Sequence, residues 1–237
     1  MMRFSDQTIL VIAPHPDDEV FGCGGLISRA KREGAKVHVL YMTVGTTQDF
    51  SRRGVSTQDE RLAEIERVAK RLGFDNYRIA FPGNNFHLRL DMVPQKDLIH
   101  AIERGAEISL ESLQPSMVIT CSPHDYNQDH RAVHEATITA TRPAAPDVKS
   151  FQPLVLMYDH PSNGWTGRET VHAKNLFIAL DEQDLTAKLE ALKLYPSQLK
   201  HSNNPLSVDA VHTLATLNGF MCGTRYAEAF FVKRIVV

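Results

Sequence analysis

Two short stretches hold most of the side chains here that can bind a metal or move a proton. The first is Pro14-His15-Pro16-Asp17-Asp18-Glu19, one imidazole and three carboxylates in six residues. The second is HDYNQDHRAVH, His124 to His134, with three histidines and two aspartates in eleven residues. A helix start explains part of the first stretch, because acidic groups are favoured at the positive end of a helix dipole. It accounts for Asp17, Asp18 and Glu19, but not for His15, which two prolines bracket. Prolines fix the local chain path. A stiff loop holding one imidazole and two carboxylates suits a metal site, and ligands often sit on caps.

In the second stretch His130 and His134 are four residues apart at the start of a helix, so they can share a face. HRAVH has the spacing of the HExxH zinc motif, but Arg131 takes the place of the glutamate, which removes that motif's base. His134 alone reads as an ordinary hydrogen-bonded helix residue. The glycines of GCGG (22–25) do not make a dinucleotide turn. Ile27 stands where a third glycine or alanine belongs, and the glycines begin inside the helix. Small residues there let a helix pack closely on a sheet, so a nucleotide-binding Rossmann protein is disfavoured.

The elements that must position these clusters alternate. TILVIA (8–13), KVHVLYMT (36–43), YRIAF (77–81) and SMVITC (116–121) have the β-branched, apolar character of buried strands. So do LVLMYD (154–159), NLFIAL (175–180) and the terminal AEAFFVKRIVV (227–237). Helical spacing is expected over 19–32, closed by Gly34, and over 57–72, stopped by Gly73. It is also expected from Pro94 to Leu113, and over 129–141, 185–195 and 207–217. Segment 44–55 reads as a loop. Such alternation implies right-handed crossovers and an α/β fold, a mostly parallel sheet with helices on both faces. Ligands of such sheets bind beyond the carboxyl ends of the strands. Both clusters follow strand ends.

Composition excludes several classes. The net charge is −2, with 26 basic and 28 acidic residues. That argues against a nucleic-acid binder working through a broad basic surface. No apolar run approaches the roughly 18 residues of a membrane helix. The first residues hold too short an apolar run for a signal peptide. Three scattered cysteines, Cys23, Cys121 and Cys222, are too few for a disulfide framework. A cytoplasmic location is the expectation. No linker or repeat divides the chain, so 1–237 is expected to be one domain.

ILVIAPHPDDEVFGCGG, followed by NQDHRAVHEA, resembles the LmbE-like or PIG-L family of zinc-dependent de-N-acetylases. The likeness extends through Arg61, Glu64, Ala69, Leu72 and Gly73, and YAEAF (226–230) is similar to the family's C-terminal end. It covers roughly 7–142 well and the part after residue 150 more weakly. It implies a Rossmann-like three-layer sandwich, in agreement with the element pattern. It also implies that His15, Asp18 and His130 hold one zinc ion, leaving a fourth position for water, as in catalytic sites. Asp17 corresponds to the general base. A zinc-bound water, its pKa lowered to about 7, would attack an acetyl carbonyl and release acetate and a free amino sugar. Arg61 matches a position of substrate contact; the alternative is a helix arginine paired with Glu64 or Glu66.

Two positions depart from the commoner pattern. That pattern is H-x-D-H, whose first histidine steadies the oxyanion; here Asn127 stands there. An amide can donate to an oxyanion but cannot carry a proton. Asn127 is therefore expected to donate, with Asp129 orienting it; a plain helix cap is the alternative. Gly83, in FPGNN (81–85), replaces a frequent aspartate. The expected function is removal of an acetyl group from a small N-acetylated amino sugar or glycoconjugate. The competing readings are a metal-retaining binding module, favoured only by Asn127, and a deacylase of a non-sugar amide. Trp165 offers a face for a sugar ring or an anchor for its loop. Relatives are often oligomeric, so a homo-oligomer is compatible with the resemblance.

Overall fold

The computed structural model describes residues 3–48, 54–145, 147–165 and 174–236. The strands are β1 (Thr8–Ala13), β2 (Lys36–Val44), β3 (Thr47–Gln48), β4 (Val55–Ser56), β5 (Asn76–Pro82), β6 (Met117–Cys121), β7 (Leu154–Tyr158), β8 (Leu176–Leu180) and β9 (Tyr226–Ile235). The helices are α1 (Asp18–Arg32), α2 (Gln58–Leu72), α3 (Gln95–Arg104), α4 (Leu110–Leu113), α5 (Gln128–Ala140), α6 (Glu182–Lys193) and α7 (Val208–Cys222). Seven strands form one sheet in the order β5-β2-β1-β6-β7-β9-β8. The pairs among β5, β2, β1, β6 and β7 are parallel, and β9 runs antiparallel to both of its neighbours. The sheet is thus the mostly parallel α/β one expected.

From β1 the chain steps outward to β2 and β5, then returns to place β6 on the other side of β1. With right-handed crossovers, this reversal puts α1 and α2 on one face and α5 on the other. It also opens a crevice at the carboxyl ends of β1 and β6, the topological switch point where open α/β sheets bind ligands. The loop after β1 carries His15 to Asp18. The loop after β6 carries Asp125 to His130.

Local chemistry explains most boundaries. Thr57 and Glu60 form a reciprocal capping box at the start of α2, and Gly73 ends it in the left-handed conformation. The helix expected from Pro94 to Leu113 is two helices. It breaks at Gly105 and Ala106, and Ser109 starts α4 by accepting from Ser112 N. The expected loop 44–55 contains the β3–β4 ladder, with 49–53 outside the described residues. The terminal strand ends at Ile235.

Helix α1 is broken as well. Cys23 has non-helical angles, φ −148° and ψ 22°. The backbone N–H groups of Gly25 and Leu26, freed by that break, donate to the Glu228 carboxylate at 2.9 and 2.7 Å. Lys188 Nζ completes the arrangement 2.6 Å from Glu228. Glu228 therefore works as an internal cap for the second half of α1. The glycines do the close packing expected of them: a Cβ on Gly22 would lie 2.3 Å from the Tyr158 ring.

Candidate metal centre

Three donor atoms converge in the crevice. His130 Nε2 lies 3.2 Å from His15 Nδ1 and 3.3 Å from Asp18 Oδ2. His15 Nδ1 lies 3.5 Å from Asp18 Oδ2. A tetrahedron's edge is about 1.63 times its centre-to-corner distance, so zinc–ligand distances of roughly 2.0–2.2 Å demand edges of about 3.3–3.6 Å. The observed triangle, with edges of 3.2, 3.3 and 3.5 Å, matches that range to within about 0.1 Å. Among the described residues it is the only such group of histidine, cysteine and carboxylate donors. His15, Asp18 and His130 are all buried.

Each imidazole is held from behind by a carboxylate. His15 Nε2 is 2.8 Å from Asp129 Oδ2, and His130 Nδ1 is 2.8 Å from Asp125 Oδ2. The other oxygens of these carboxylates accept from Leu90 N and Asn127 N. An ionised carboxylate only accepts, so the ring protons belong on His15 Nε2 and His130 Nδ1. The lone pairs of His15 Nδ1 and His130 Nε2 then face the centre of the triangle. This is the outer shell that orients metal-binding histidines. Asp125 lies within the second cluster, but its role was not apparent from spacing.

Charge suits the arrangement. Burial opposes ionisation of Asp18, yet His130 and His15, when protonated, hold its carboxyl well below the usual range; in the tautomers above a bound cation would take their place. Asp17 goes the other way: burial first, and then Asp18's charge, push it well up, with Arg61 opposing. Asp17 is also strained, with φ 112° and ψ −31°. Its N–H donates to Glu19 Oε2 at 3.1 Å, and Tyr195 Oη–H donates to Glu19 Oε1 at 2.7 Å. Burial raises the buried Glu19 carboxyl to about 7, against the Tyr195 hydrogen bond. Non-glycine residues seldom hold such a backbone unless the surroundings over-determine it, and it recurs at functional sites.

Other expected residues have different neighbours from those foreseen. Arg61 is buried; it donates to Pro16 O, to Thr47 Oγ1 and to His87 Nε2, at 3.1, 3.1 and 3.2 Å. Glu64, one of the two helix partners considered for it, instead accepts from Ser197 N and Oγ. Arg61 thus props the His15–Asp18 loop from the β2 side. Because Arg61 only donates, His87 Nε2 accepts; the ring lies edge-on to His15, with centroids 5.2 Å apart. Burial, then the charges of His15 and Arg61, lower His87 to about 3. On the opposite flank, at the end of β7, the buried His160 places Nε2 3.8 Å from Asp18 Oδ1. His87 and His160 were missed. Each is a lone histidine without local periodicity, and only its position after a strand marked it.

His134 behaves as an ordinary helix histidine, its Nδ1 2.9 Å from Cys121 O. Arg131 is tied to the Asp125 and Tyr126 carbonyls. His124 packs against Phe231. The Trp165 side chain and residues 166–173 lie outside the described residues. Asn127 is the N-cap of α5, its Oδ1 accepting from Asp129 N at 2.9 Å. Asp129, expected to orient Asn127, instead points its carboxylate at His15. Asn127→Ala should therefore cost about 0.5–2 kcal/mol of stability through the lost cap. Turnover should change by less than about tenfold, well under the loss for a true oxyanion donor. Thermal unfolding and turnover on one preparation check this; a drop in turnover at unchanged stability would assign Asn127 to the chemistry.

Residues 10–141 match the family model described as PIG-L, GlcNAc-PI de-N-acetylase. More than half the chain is matched, and the chain belongs to this family. It is 27% identical to diacetylchitobiose deacetylase of Thermococcus kodakarensis over 95% of this chain and 83% of that protein. It is 29% identical to the Escherichia coli deacetylase YaiS over 80% of this chain and 90% of that protein. Among solved structures, the conserved protein TT1542 of Thermus thermophilus superposes with a TM-score of 0.73 at 27% identity. That superposition covers 98% of this chain and 96% of TT1542. Among the described residues, no helix is long and apolar enough to cross a membrane.

Proposed function

We propose that this protein is a zinc-dependent N-deacetylase acting on a small acetylated amino sugar or glycoconjugate. The observation that carries the reading is the triangle of His15 Nδ1, Asp18 Oδ2 and His130 Nε2, with edges of 3.2 to 3.5 Å. Two histidines and one carboxylate fit zinc with an open position, the pattern of catalytic rather than structural sites. Deacetylase names among the relatives supply the reaction class. The diacetylchitobiose enzyme, aligned over nearly the whole chain, supplies the acetylated amino sugar.

When bound, zinc supplies Lewis-acid polarisation of a carbonyl and a lowered pKa for water. The chain's own residues do the rest. Asp129 and Asp125 hold the two histidine ligands in one tautomer. Asp17, its basicity raised by burial, takes a proton from the attacking water as the new C–O bond forms. The C–N bond then breaks and Asp17 returns the proton to the departing amine, leaving acetate. Arg61 keeps the Asp17 loop in place through Pro16 O.

The test is metal content and acetate release on one purified preparation. Diacetylchitobiose, N-acetylglucosamine and acetylated glycoconjugates form the panel, with a non-sugar acetamide as the contrasting substrate. Chelation should abolish release, and zinc should restore it. Metal-loaded protein that binds these sugars without releasing acetate would favour a binding module. Preference for the plain acetamide would move the substrate class away from sugars.

A further inference from the structure

Amide hydrolysis places negative charge on the carbonyl oxygen, and a hydrolase needs a donor aimed at where that charge develops. Several donors around the triangle are engaged, and the buried Arg61 Nε and His87 Nδ1, which are not, lie on the flank that braces the Asp17 loop. The Nη groups of Arg61 hold Pro16, Thr47 and His87. His15 and His130 give their ring protons to Asp129 and Asp125. Asn127 is turned to the start of α5, where its oxygen accepts from Asp129 N; its Nδ2 remains the competing donor that Asn127→Ala tests.

His160 is different. It lies two residues past the end of β7, one strand beyond β6, on the flank opposite Arg61 and His87. Its ring is wedged edge-on against Phe21, with centroids 5.4 Å apart, and against His130, with centroids 5.8 Å apart at 85°. Nδ1 lies 2.7 Å from Ser162 Oγ. Nε2 faces Asp18 Oδ1 at 3.8 Å, too long for a hydrogen bond but close enough for the carboxylate charge to act. That charge favours the tautomer with its proton on Nε2. Ser162 can satisfy Nδ1 by donating its hydroxyl proton. The result is a rigid N–H donor at the rim of the metal triangle, with no short partner of its own among the described residues.

We propose that His160 is the oxyanion donor of this site, its Nε2–H taking the carbonyl oxygen of the scissile acetamide, with Ser162 fixing the tautomer. The assignment rests on the deacetylase reading above. It puts the loop that carries Asp17, braced from the Arg61 side, and the oxyanion donor on different flanks of the triangle.

The experiment compares wild type, His160→Phe, His160→Gln and Ser162→Ala, each confirmed folded by circular dichroism. Three quantities are read: zinc affinity against a competing chelator, the change in the visible spectrum of the cobalt-substituted protein on adding acetate, and kcat and KM on an accepted sugar. His160→Phe should leave zinc affinity within about threefold, blunt the acetate response and lower kcat by roughly 10²–10³-fold with little change in KM. His160→Gln, which keeps a donor, should recover part of kcat. Ser162→Ala should show a smaller loss in the same direction. A large fall in zinc affinity with normal kcat per bound zinc would make His160 a metal ligand and overturn the proposal. So would an unchanged acetate response in His160→Phe. If wild type releases no acetate from any sugar, the deacetylase reading fails. The cobalt–acetate response then decides on its own whether His160 faces the metal's open position.

Discussion

Asp17→Asn is expected, on the zinc deacetylase reading proposed above, to retain zinc and to lose roughly 10²–10⁴-fold in turnover, the usual contribution of a general acid–base group. The substitution is nearly isosteric, and its amide cannot take a proton from water. Asp17 is not one of the three converging donors, so metal affinity should stay close to wild type. Its backbone, at φ 112°, is held by the hydrogen bond from its own N–H to Glu19. That bond involves the main chain and survives the change. The buried carboxylate also sits beside Asp18, and these two together push its pKa upward. Removing one of two crowded acids relieves repulsion, so the variant should be at least as stable as wild type. Zinc stoichiometry, thermal midpoint and acetate release on a single preparation test all three statements. Turnover near wild type would remove Asp17 as the base; lost zinc would mean that it helps hold the metal.

What could be read in advance follows from how local each feature is. Strands β1, β2, β6 and β7 are apolar runs flanked by turn residues, and their boundaries lie close to those expected. The converging donor trio was legible in part locally, since His15 and Asp18 share one stiff loop, but it was the family resemblance that picked His130 from the three histidines of the second cluster. Long-range features were not legible. The break at Cys23 is stabilised by Glu228, which lies about two hundred residues away in sequence. Asp129 reads locally as a helix-start residue next to Asn127, yet its partner is His15, on another loop across the crevice. Arg61 has acidic neighbours at helical spacing, but tertiary packing aims its guanidinium at Pro16 O. The split between α3 and α4 was readable: Gly105 and Ser109 are stop and start signals inside the expected helix.

The carboxylates behind the histidines lead to the second large effect. Asp129 is fully buried and divides its oxygens between His15 Nε2 and Leu90 N. Asp125 divides its own between His130 Nδ1 and Asn127 N. Outer-shell partners of this kind typically carry about 10–100-fold in metal affinity or activity each. Asp129→Ala and Asp125→Ala should each weaken zinc binding by that factor. The double variant should lose up to roughly the product, about 10²–10⁴-fold, and a shortfall from it measures the coupling between two histidines that face one shared centre. The conservative changes discriminate further. Asp129→Asn keeps an acceptor for the His15 proton, so it should retain more zinc affinity than Asp129→Ala if orientation is the main contribution. If negative charge behind the ring matters more, the asparagine and alanine variants should bind zinc equally weakly. Asn127→Ala sits in the same turn but touches neither histidine, so its zinc affinity should match wild type. Chelator competition across these variants, with unfolding measured alongside, tests the assignment. Unchanged zinc affinity in Asp129→Ala and Asp125→Ala would mean that His15 and His130 need no support from behind, and the site would have to be redrawn.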